Sequence, residues 1–214
     1  MTGSDRGPYA KTLAKRALVA HAALEVVLEV GHAELTAGAV AARAGMSERT
    51  LQYHFPTRDH LLVAALALHD EEQSRSMPFP DDLASLDLAS IPATIAQASV
   101  TQPRILALSN ALAGQAGDPE HPAHAFFAQR DAASIAALST LVRTLQDAGN
   151  ALPDLDPDAT ARQLVALWIG LERQWLVRPE FDLVAEIVAL FRLLTGQQVM
   201  ETRQALLSLA EAIA

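Results

Sequence analysis

Residues 36–62 of this 214-residue chain read TAGAVAARAGMSERTLQYHFPTRDHLL and predict two short helices joined by a tight turn. Thr36 is suited to cap the first helix, because its hydroxyl group can accept a hydrogen bond from a free amide of the first turn. Gly45 stands where the chain reverses, and glycine readily adopts the positive φ that such a turn requires. Ser47 is placed to cap the second helix in the same way.

Apolar residues on both sides of the turn indicate how the two helices pack. Ala41 is small enough to let the helices cross closely, and Leu51 is placed to fill the joint between them. Leu51 and Phe55 lie four residues apart and therefore share one face of the second helix. A turn glycine with packing residues at these offsets predicts a helix-turn-helix, with an ordinary helical hairpin as the alternative.

The side chains left on the outside of the second helix are suited to reading DNA. Arginine can make a bidentate contact with guanine and glutamine with adenine in the major groove, which are the roles we assign to Arg49 and Gln52. Hydroxyl and imidazole groups nearby can donate hydrogen bonds to phosphates. The candidate DNA-binding residues are Lys11, Thr36, Ser47, Glu48, Arg49, Thr50, Gln52, Tyr53, His54 and Arg58.

Together these residues resemble the DNA-binding signature of the TetR (tetracycline-repressor) family of bacterial transcription regulators. The resemblance consists of a threonine before the second helix, Ala44-Gly45-Met46-Ser47 at the turn, Tyr53-His54-Phe55 at the end of the recognition helix, and the basic Arg58 that follows. Arg49 and Gln52 differ from the residues common in the family, so the operator of a relative cannot be assumed.

The resemblance implies an all-α fold, with an amino-terminal three-helix helix-turn-helix DNA-binding domain and a carboxy-terminal helical effector-binding and dimerisation domain. We therefore expect a DNA-binding domain over residues 1–56, a linking helix and connector over 57–80, and a ligand-binding and dimerisation domain over 81–214. Residues 154–157 and 170–176 extend the resemblance beyond the DNA-binding part with lower specificity.

The composition favours a helical protein without disulfides. Half of the residues are hydrophobic, alanine and leucine dominate, and cysteine is absent. The net charge is −9, but the first 70 residues hold seven basic and seven acidic residues, so the negative charge belongs to the remainder. A neutral head on an acidic body favours docking on DNA through the head. Neither a long apolar run nor a secretion signal is present, so we expect a cytoplasmic protein with no membrane partner.

Hydrophobic spacing and helix-breaking residues predict helices along the whole chain. The first is expected over residues 9–30, and its inward residues are Leu13, Ala17, Ala20, Leu24 and Val27. Arg6, ahead of it, is a candidate for a further DNA contact, with a frayed terminus as the alternative. Later helices are expected over 57–75, 83–90, 92–101, 103–116, 122–148, 157–177 and 180–195. One more is expected over residues 197–214, with inward Val199, Leu206, Ala210 and Ile213.

The two helices expected over 157–177 and 180–195 are apolar on more sides than one chain needs, which indicates a second partner. In the family, the corresponding helices pair with their twofold mates in a four-helix bundle, and this implies a homodimer. The expected interface residues are Leu164, Leu167, Gly170, Leu171, Ile187, Leu190, Phe191 and Leu194. Full burial within one subunit is the alternative.

Members of the family usually bind a small-molecule effector in the helical body, and the resemblance implies such a partner here. The candidate ligand-binding residues are Asn110, Phe126, Phe127, Arg130, Trp168, Arg173 and Trp175. For the aromatic ones, simple core packing is the alternative. His121 and His124 could share a metal ion, but the first turn of a helix explains them equally well. No catalytic, cofactor-binding or metal-binding residue is predicted, since phosphate loops and nucleophile elbows are absent from the sequence.

The sequence thus predicts a homodimeric transcription regulator that binds a near-palindromic double-stranded DNA operator and is released by a small-molecule effector. Repression is the expected mode, and activation stays open because it depends on where the operator lies. The alternatives are a small-molecule-binding helical protein whose head no longer reads DNA, and an enzyme.

Overall fold

The computed structural model describes residues 8–76 and 90–213, and the regular secondary structure within them is entirely α-helical. The all-α fold class is therefore confirmed. The helices of these residues are α1 (Pro8–Val30), α2 (Ala37–Arg43), α3 (Glu48–His54), α4 (Arg58–Ser76), α5 (Ile91–Thr101), α6 (Pro103–Ala113), α7 (Pro122–Asp147), α8 (Pro157–Val177), α9 (Leu183–Thr195) and α10 (Gln197–Ile213). Arg6 and residues 83–89 of a predicted helix lie outside the described residues.

The chain divides by packing into two compact units. In the first unit, residues 104–127 pack with the amino-terminal helices, because Ile105 and Leu108 belong to the same apolar cluster as α1 and α4. The second unit contains the described residues 90–103 and 128–213. The domain limits expected after residues 56 and 80 remain a prediction, and packing adds α6 and the start of α7 to the amino-terminal unit.

The core of the first unit forms where α1 packs against α4 and α2. Val19, Val27 and Leu61 are completely buried there. The predicted inward face of α1 is partly wrong, because Leu24 and Val27 are buried whereas Leu13 is 49% exposed. Burial begins only at Val19, so the apolar spacing of the first turns of α1 does not correspond to a packed face of this chain.

Helix α9 is central to the second unit, because both α5 and α8 pack against it. Its Ile187 and Phe191 are buried in the two apolar clusters of this unit. Asp156 and Asp182 begin α8 and α9, since each carboxylate accepts hydrogen bonds from backbone amides of the first turn. These caps fix the residues at which α8 and α9 start.

A sharp corner of 66° joins α9 to α10 at Gly196. The φ of Gly196 is 69°, and a Cβ atom there would overlap Cγ and Cδ1 of Leu152. The Leu152 amide also donates a hydrogen bond to the Thr195 carbonyl at 3.0 Å, which holds the corner to a neighbouring loop. Among the described helices none has by itself the length and apolar composition of a membrane span, and α9 and α10 reach them only as a pair across this bend.

Candidate nucleic-acid interface

The local geometry of residues 36–54 is that of a helix-turn-helix. Thr36 Oγ1 accepts a hydrogen bond from the Ala39 amide at 3.2 Å and so caps α2. Ser47 Oγ accepts one from the Thr50 amide at 3.2 Å and caps α3. Gly45 adopts a φ of 64°, in the left-handed region that favours glycine. The predicted caps and turn are confirmed, since each shows the bond or the angle expected of it.

The capping hydroxyl groups keep a donor for a further partner. A serine or threonine hydroxyl has one O–H donor and two acceptor sites, and capping uses only an acceptor site. Thr36 can therefore still donate to a phosphate oxygen while it caps α2. The hydroxyls of Ser47 and Thr50 lie 2.9 Å apart and share one hydrogen bond, so this pair retains one O–H group for DNA.

Helices α2 and α3 pack through a small, fully apolar joint. Val40, Ala41, Leu51 and Phe55 are all buried, as the sequence predicts. A second close approach was not predicted: a Cβ atom on Gly38 would lie 2.9 Å from Oε1 of Glu48. Gly38 stands one turn before Ala41. This i, i+3 spacing of small residues is the sequence feature that could have indicated the close approach of α3 to α2. Glu48 thus leans toward α2, which makes its predicted DNA contact less direct than that of its neighbours.

The outward face of α3 carries the residues best placed to read bases. Arg49, Gln52 and Tyr53 are exposed, and Gln52 and Tyr53 lie three and four residues after Arg49, so both neighbour Arg49 on the outer side of the helix. Tyr53 is 84% exposed, and its ring meets that of His54 edge to face at 5.1 Å between centroids. Within the described residues, no hydrogen bond or ion pair ties down the side chains of Arg49 and Gln52.

Arg16 of α1 supports the carboxyl end of the recognition helix. Its guanidinium lies 4.7 Å from the centroid of the Phe55 ring and donates to the His54 carbonyl at 3.0 Å. The cation and the hydrogen bond both suit a helix carboxyl terminus, where carbonyl groups lack partners. The partners of Arg16 lie 38 and 39 residues later in the chain, so this contact needed tertiary structure to be seen. Lys11 lies on α1, and its side chain is outside the described part of the chain.

Arg58 binds the protein's own backbone, and its predicted contact with DNA remains a prediction. Its Nε donates to the Leu35 carbonyl at 2.9 Å, and its Nη2 donates to the carbonyls of Ala33 and His32. The guanidinium therefore closes the loop between α1 and α2. Burial, followed by the positive charge of Arg58, lowers the pKa of His32 below its usual value of 6.5. Arg58 therefore has a role in positioning the helix-turn-helix that the sequence did not indicate.

The predicted effector-binding residues fall into both compact units. Asn110, Phe126 and Phe127 belong to the first unit, where Phe127 is buried in the core and meets Phe126 edge to face at 5.2 Å between centroids. The Asn110 side-chain amide donates to the Leu106 carbonyl at 3.1 Å, one turn earlier on α6. These contacts are the ones that core packing alone would give, so a ligand role for the three residues remains a prediction.

The remaining candidates, Arg130, Trp168, Arg173 and Trp175, belong to the second unit, where Arg173 is exposed. The two tryptophans pack on a cluster formed by α5 and α9. Glu172, which the sequence did not single out, accepts a hydrogen bond from the Trp168 indole at 2.9 Å and one from the Ser99 hydroxyl at 2.5 Å. Glu172 is half-buried, so its carboxylate holds Trp168 of α8 and Ser99 of α5 together beside these candidates.

Three of the predicted dimer-interface residues lie in the core of a single chain. Leu164, Ile187 and Phe191 are at most 1% exposed, so they cannot contact a partner, and that part of the prediction is wrong. Leu171, Leu190 and Leu194 are half-buried. Leu167 is 47% exposed, and a Cβ atom on Gly170 would meet open space. The exposed apolar face of α8 thus follows Leu167, Gly170 and Val177.

The two histidines of the metal-like segment have separate partners within the chain. His121 Nε2 lies 3.2 Å from Asp59 Oδ2, and its Nδ1 accepts a hydrogen bond from the Ala123 amide. His124 Nδ1 donates to the Ala116 carbonyl at 2.8 Å. These bonds explain both histidines as parts of the turn and helix start at residues 116–124, where His121 also joins α4.

Comparison with known proteins finds a family model that matches this part of the chain. Residues 13–65 match the sequence model of the bacterial regulatory proteins, tetR family. No curated protein sequence matches the chain. A TetR transcription regulator from Haloarcula marismortui has a similar solved structure, with a TM-score of 0.68, 19% identity, and coverage of 86% of this chain and 97% of that one.

Two further solved structures share the fold. A Rhodococcus sp. protein described as a TetR-family transcriptional regulator gives a TM-score of 0.63 and 24% identity, covering 85% of this chain and 98% of its own. Thermus thermophilus FadR, a TetR-family transcriptional repressor in complex with lauroyl-CoA, gives 0.62 and 20%, covering 84% and 92%. At these identities the likeness concerns the fold.

Proposed function

We propose that this chain, whose residues 13–65 match the model of the bacterial regulatory proteins of the tetR family, reads a specific double-stranded DNA operator as a homodimer and releases it when a small molecule binds. The observation that carries this proposal is the outward face of α3. Arg49 and Gln52 stand exposed, untied by other groups of the described chain, on a helix whose opposite side is fully packed. A packed helix whose Arg and Gln side chains have their guanidinium and amide groups available suits base recognition in the major groove.

The surroundings of α3 suit contact with the DNA backbone. Hydroxyl donors remain at Thr36 and at the Ser47–Thr50 pair, and Tyr53 presents a further hydroxyl. The distribution of charge also suits DNA binding through the first 70 residues, since the acidic excess lies beyond residue 70. An acidic body is repelled by phosphates and a neutral head is not, which favours approach through the head.

Dimerisation through α8 and α9 would place two such heads on one operator. The proposed contact uses the exposed Leu167, Gly170 and Val177 of α8 and the 69% exposed Leu193 of α9. Two recognition helices must lie about 34–36 Å apart to enter successive major grooves on one face of DNA. The operator is then a near-palindrome, because each half-site meets the same helix.

Release by an effector is proposed by analogy with the repressor FadR, whose structure contains lauroyl-CoA. In this chain, Trp168, Trp175 and Arg130 remain candidate contacts for a small molecule in the second unit. To weaken operator binding a thousandfold, the effector must prefer the non-binding conformation by about 4 kcal/mol. The chemical class of the effector is left open by this proposal.

Selection of bound sequences from a random DNA library, at two salt concentrations, tests the proposed function. A regulator enriches a near-palindromic site and binds it with steep salt dependence. Weak binding without sequence preference would instead favour a helical small-molecule-binding protein whose head no longer reads DNA. The dimer surface is tested separately by sedimentation of Gly170→Glu, with Ala137→Glu, at an exposed position of α7, as the control.

A further inference from the structure

The last described helix, α10, presents an apolar face to solvent. Residues 201–213 are exposed along their whole length. Leu206 is 62% exposed and Ile213 is 77% exposed, so the sequence-based expectation that they point inward is wrong for a single chain. Large apolar side chains in such a continuous exposed row mark a surface that another molecule covers.

Helix α10 is attached to its own chain through its polar face. Glu201 pairs with Arg192 of α9 at 2.6 Å, and the Gln204 side chain donates to the Gly149 carbonyl at 3.1 Å. The corner at Gly196 fixes the start of the helix. A surface helix normally buries its apolar face, whereas the apolar face of α10 is left exposed.

Four of the five large apolar residues exposed on α10 follow a seven-residue repeat, and Leu207 lies beside it. Val199, Leu206 and Ile213 are spaced by seven, and Leu209 lies three residues after Leu206. These are the a and d positions of a heptad, the pattern by which one helix packs along another. Spacing of this kind is typical of a surface that packs along another helix and not of a small-molecule site. We call the row formed by Val199, Leu206, Leu209 and Ile213 the seam of α10.

The exposed surface of α10 around this repeat is mostly apolar and open to solvent. In helix pairs with heptad spacing, side chains of one helix enter holes formed by four residues of the other. The residues that line this open surface are Gln198, Val199, Thr202, Arg203, Leu206 and Leu207.

We propose that α10 pairs with the α10 of a second copy of this chain through this seam. Identical heptads are complementary to each other, and the carboxylates of Glu201 and Glu211 lie on the opposite face, so pairing brings no like charges together. A membrane surface is a poorer occupant, because α10 has Arg203 as its only basic residue against two acidic ones. The seam lies on a different helix from the α8 and α9 surface of the proposed regulator dimer.

Single-cysteine cross-linking tests the pairing directly, because the natural chain has no cysteine. Leu206→Cys places a thiol on the seam, and Ser208→Cys places one two residues later on the opposite face, with both positions exposed. Mild oxidation of the full-length protein should link the Leu206→Cys variant into covalent dimers and leave the Ser208→Cys variant unlinked. Disulfide formation requires Cβ atoms about 3.5–4.5 Å apart, which only seam positions reach.

Equal rates of linking in the two variants would overturn the proposal, since they would reflect random collision. A second measurement needs no thiol: Leu206→Glu should raise the dissociation constant for self-association by about thirtyfold or more, and Ser208→Glu should leave it within about twofold. An unchanged constant for Leu206→Glu overturns the pairing, as does flotation of the wild-type protein with phosphatidylcholine vesicles. Selection of bound sequences from a random DNA library with the same variants measures DNA reading by itself. Failure of the α10 pairing and failure of the proposed regulatory function can therefore be distinguished.

Discussion

Gly196 and Gly149 allow a controlled test of the corner between α9 and α10. Both glycines lie in the second unit and have nearly the same left-handed φ, 69° and 71°. A Cβ atom on Gly149 would meet nothing within 4 Å, whereas one on Gly196 would overlap Cγ and Cδ1 of Leu152. Gly196→Ala and Gly149→Ala therefore share the backbone cost and differ only in this collision.

The expected magnitudes follow from those two contributions. Placing alanine in a left-handed conformation costs roughly 1–2 kcal/mol, which is the whole effect expected for Gly149→Ala. Displacing the branched carbon of Leu152 adds an overpacking cost of about 1–3 kcal/mol for Gly196→Ala. The total for Gly196→Ala is then about 2–5 kcal/mol. Adding Leu152→Ala to Gly196→Ala should recover part of the collision energy.

Urea denaturation followed by circular dichroism measures these differences as shifts in the free energy of unfolding. Gly196→Ala should be at least about 1 kcal/mol less stable than Gly149→Ala. The double variant with Leu152→Ala should show a favourable coupling in the mutant cycle. If the two glycine variants are equally stable, the close packing of Leu152 against Gly196 is refuted.

Leu51→Ala should lower the free energy of unfolding by about 2–5 kcal/mol, because it empties the buried joint between α2 and α3, while the exposed Gln52→Ala should change it by less than about 0.5 kcal/mol. Similar losses in the same urea assay would contradict the packing. Arg58→Ala should cost about 1–3 kcal/mol and leave the salt slope of DNA binding unchanged, because its guanidinium binds loop carbonyls; a slope lower by about one would restore the phosphate role. The lowered pKa of His32 means that the unfolded chain binds more protons, so stability should fall as the pH drops below 6.5. His32→Gln should reduce that loss in thermal melts between pH 5 and 8, and an identical profile would exclude His32 as its source.

The helix-turn-helix could be predicted because its determinants are local. Thr36 and Ser47 cap within their own turns, and Gly45 needs its positive φ whatever surrounds it. Leu51 and Phe55 are buried as their spacing indicates. Arg58 could not be assigned in this way, because its partners are carbonyls more than twenty residues earlier in the chain.

The choice of face on α8 and α9 could not be made from the sequence. Both helices carry more than one apolar stripe, and spacing alone does not say which stripe faces the same chain. The structure places Leu164, Ile187 and Phe191 inside and leaves Leu167 and Leu193 exposed. The same ambiguity applied to α10, where the polar face carries the contacts with its own chain. Periodicity identifies an apolar face but not what covers it.

The proposed regulatory function depends on base reading by Arg49 and Gln52, and the ratio of the affinities for specific and non-specific DNA measures that reading. The measurement compares the affinity for the selected operator with that for scrambled DNA, in the wild type, in Arg49→Ala/Gln52→Ala, and in Arg178→Ala, which removes a surface arginine of the second unit. We predict that the double variant loses specificity by at least about tenfold and keeps its affinity for scrambled DNA within a few-fold, while Arg178→Ala matches the wild type. An unchanged specificity ratio in the double variant would contradict base reading by α3.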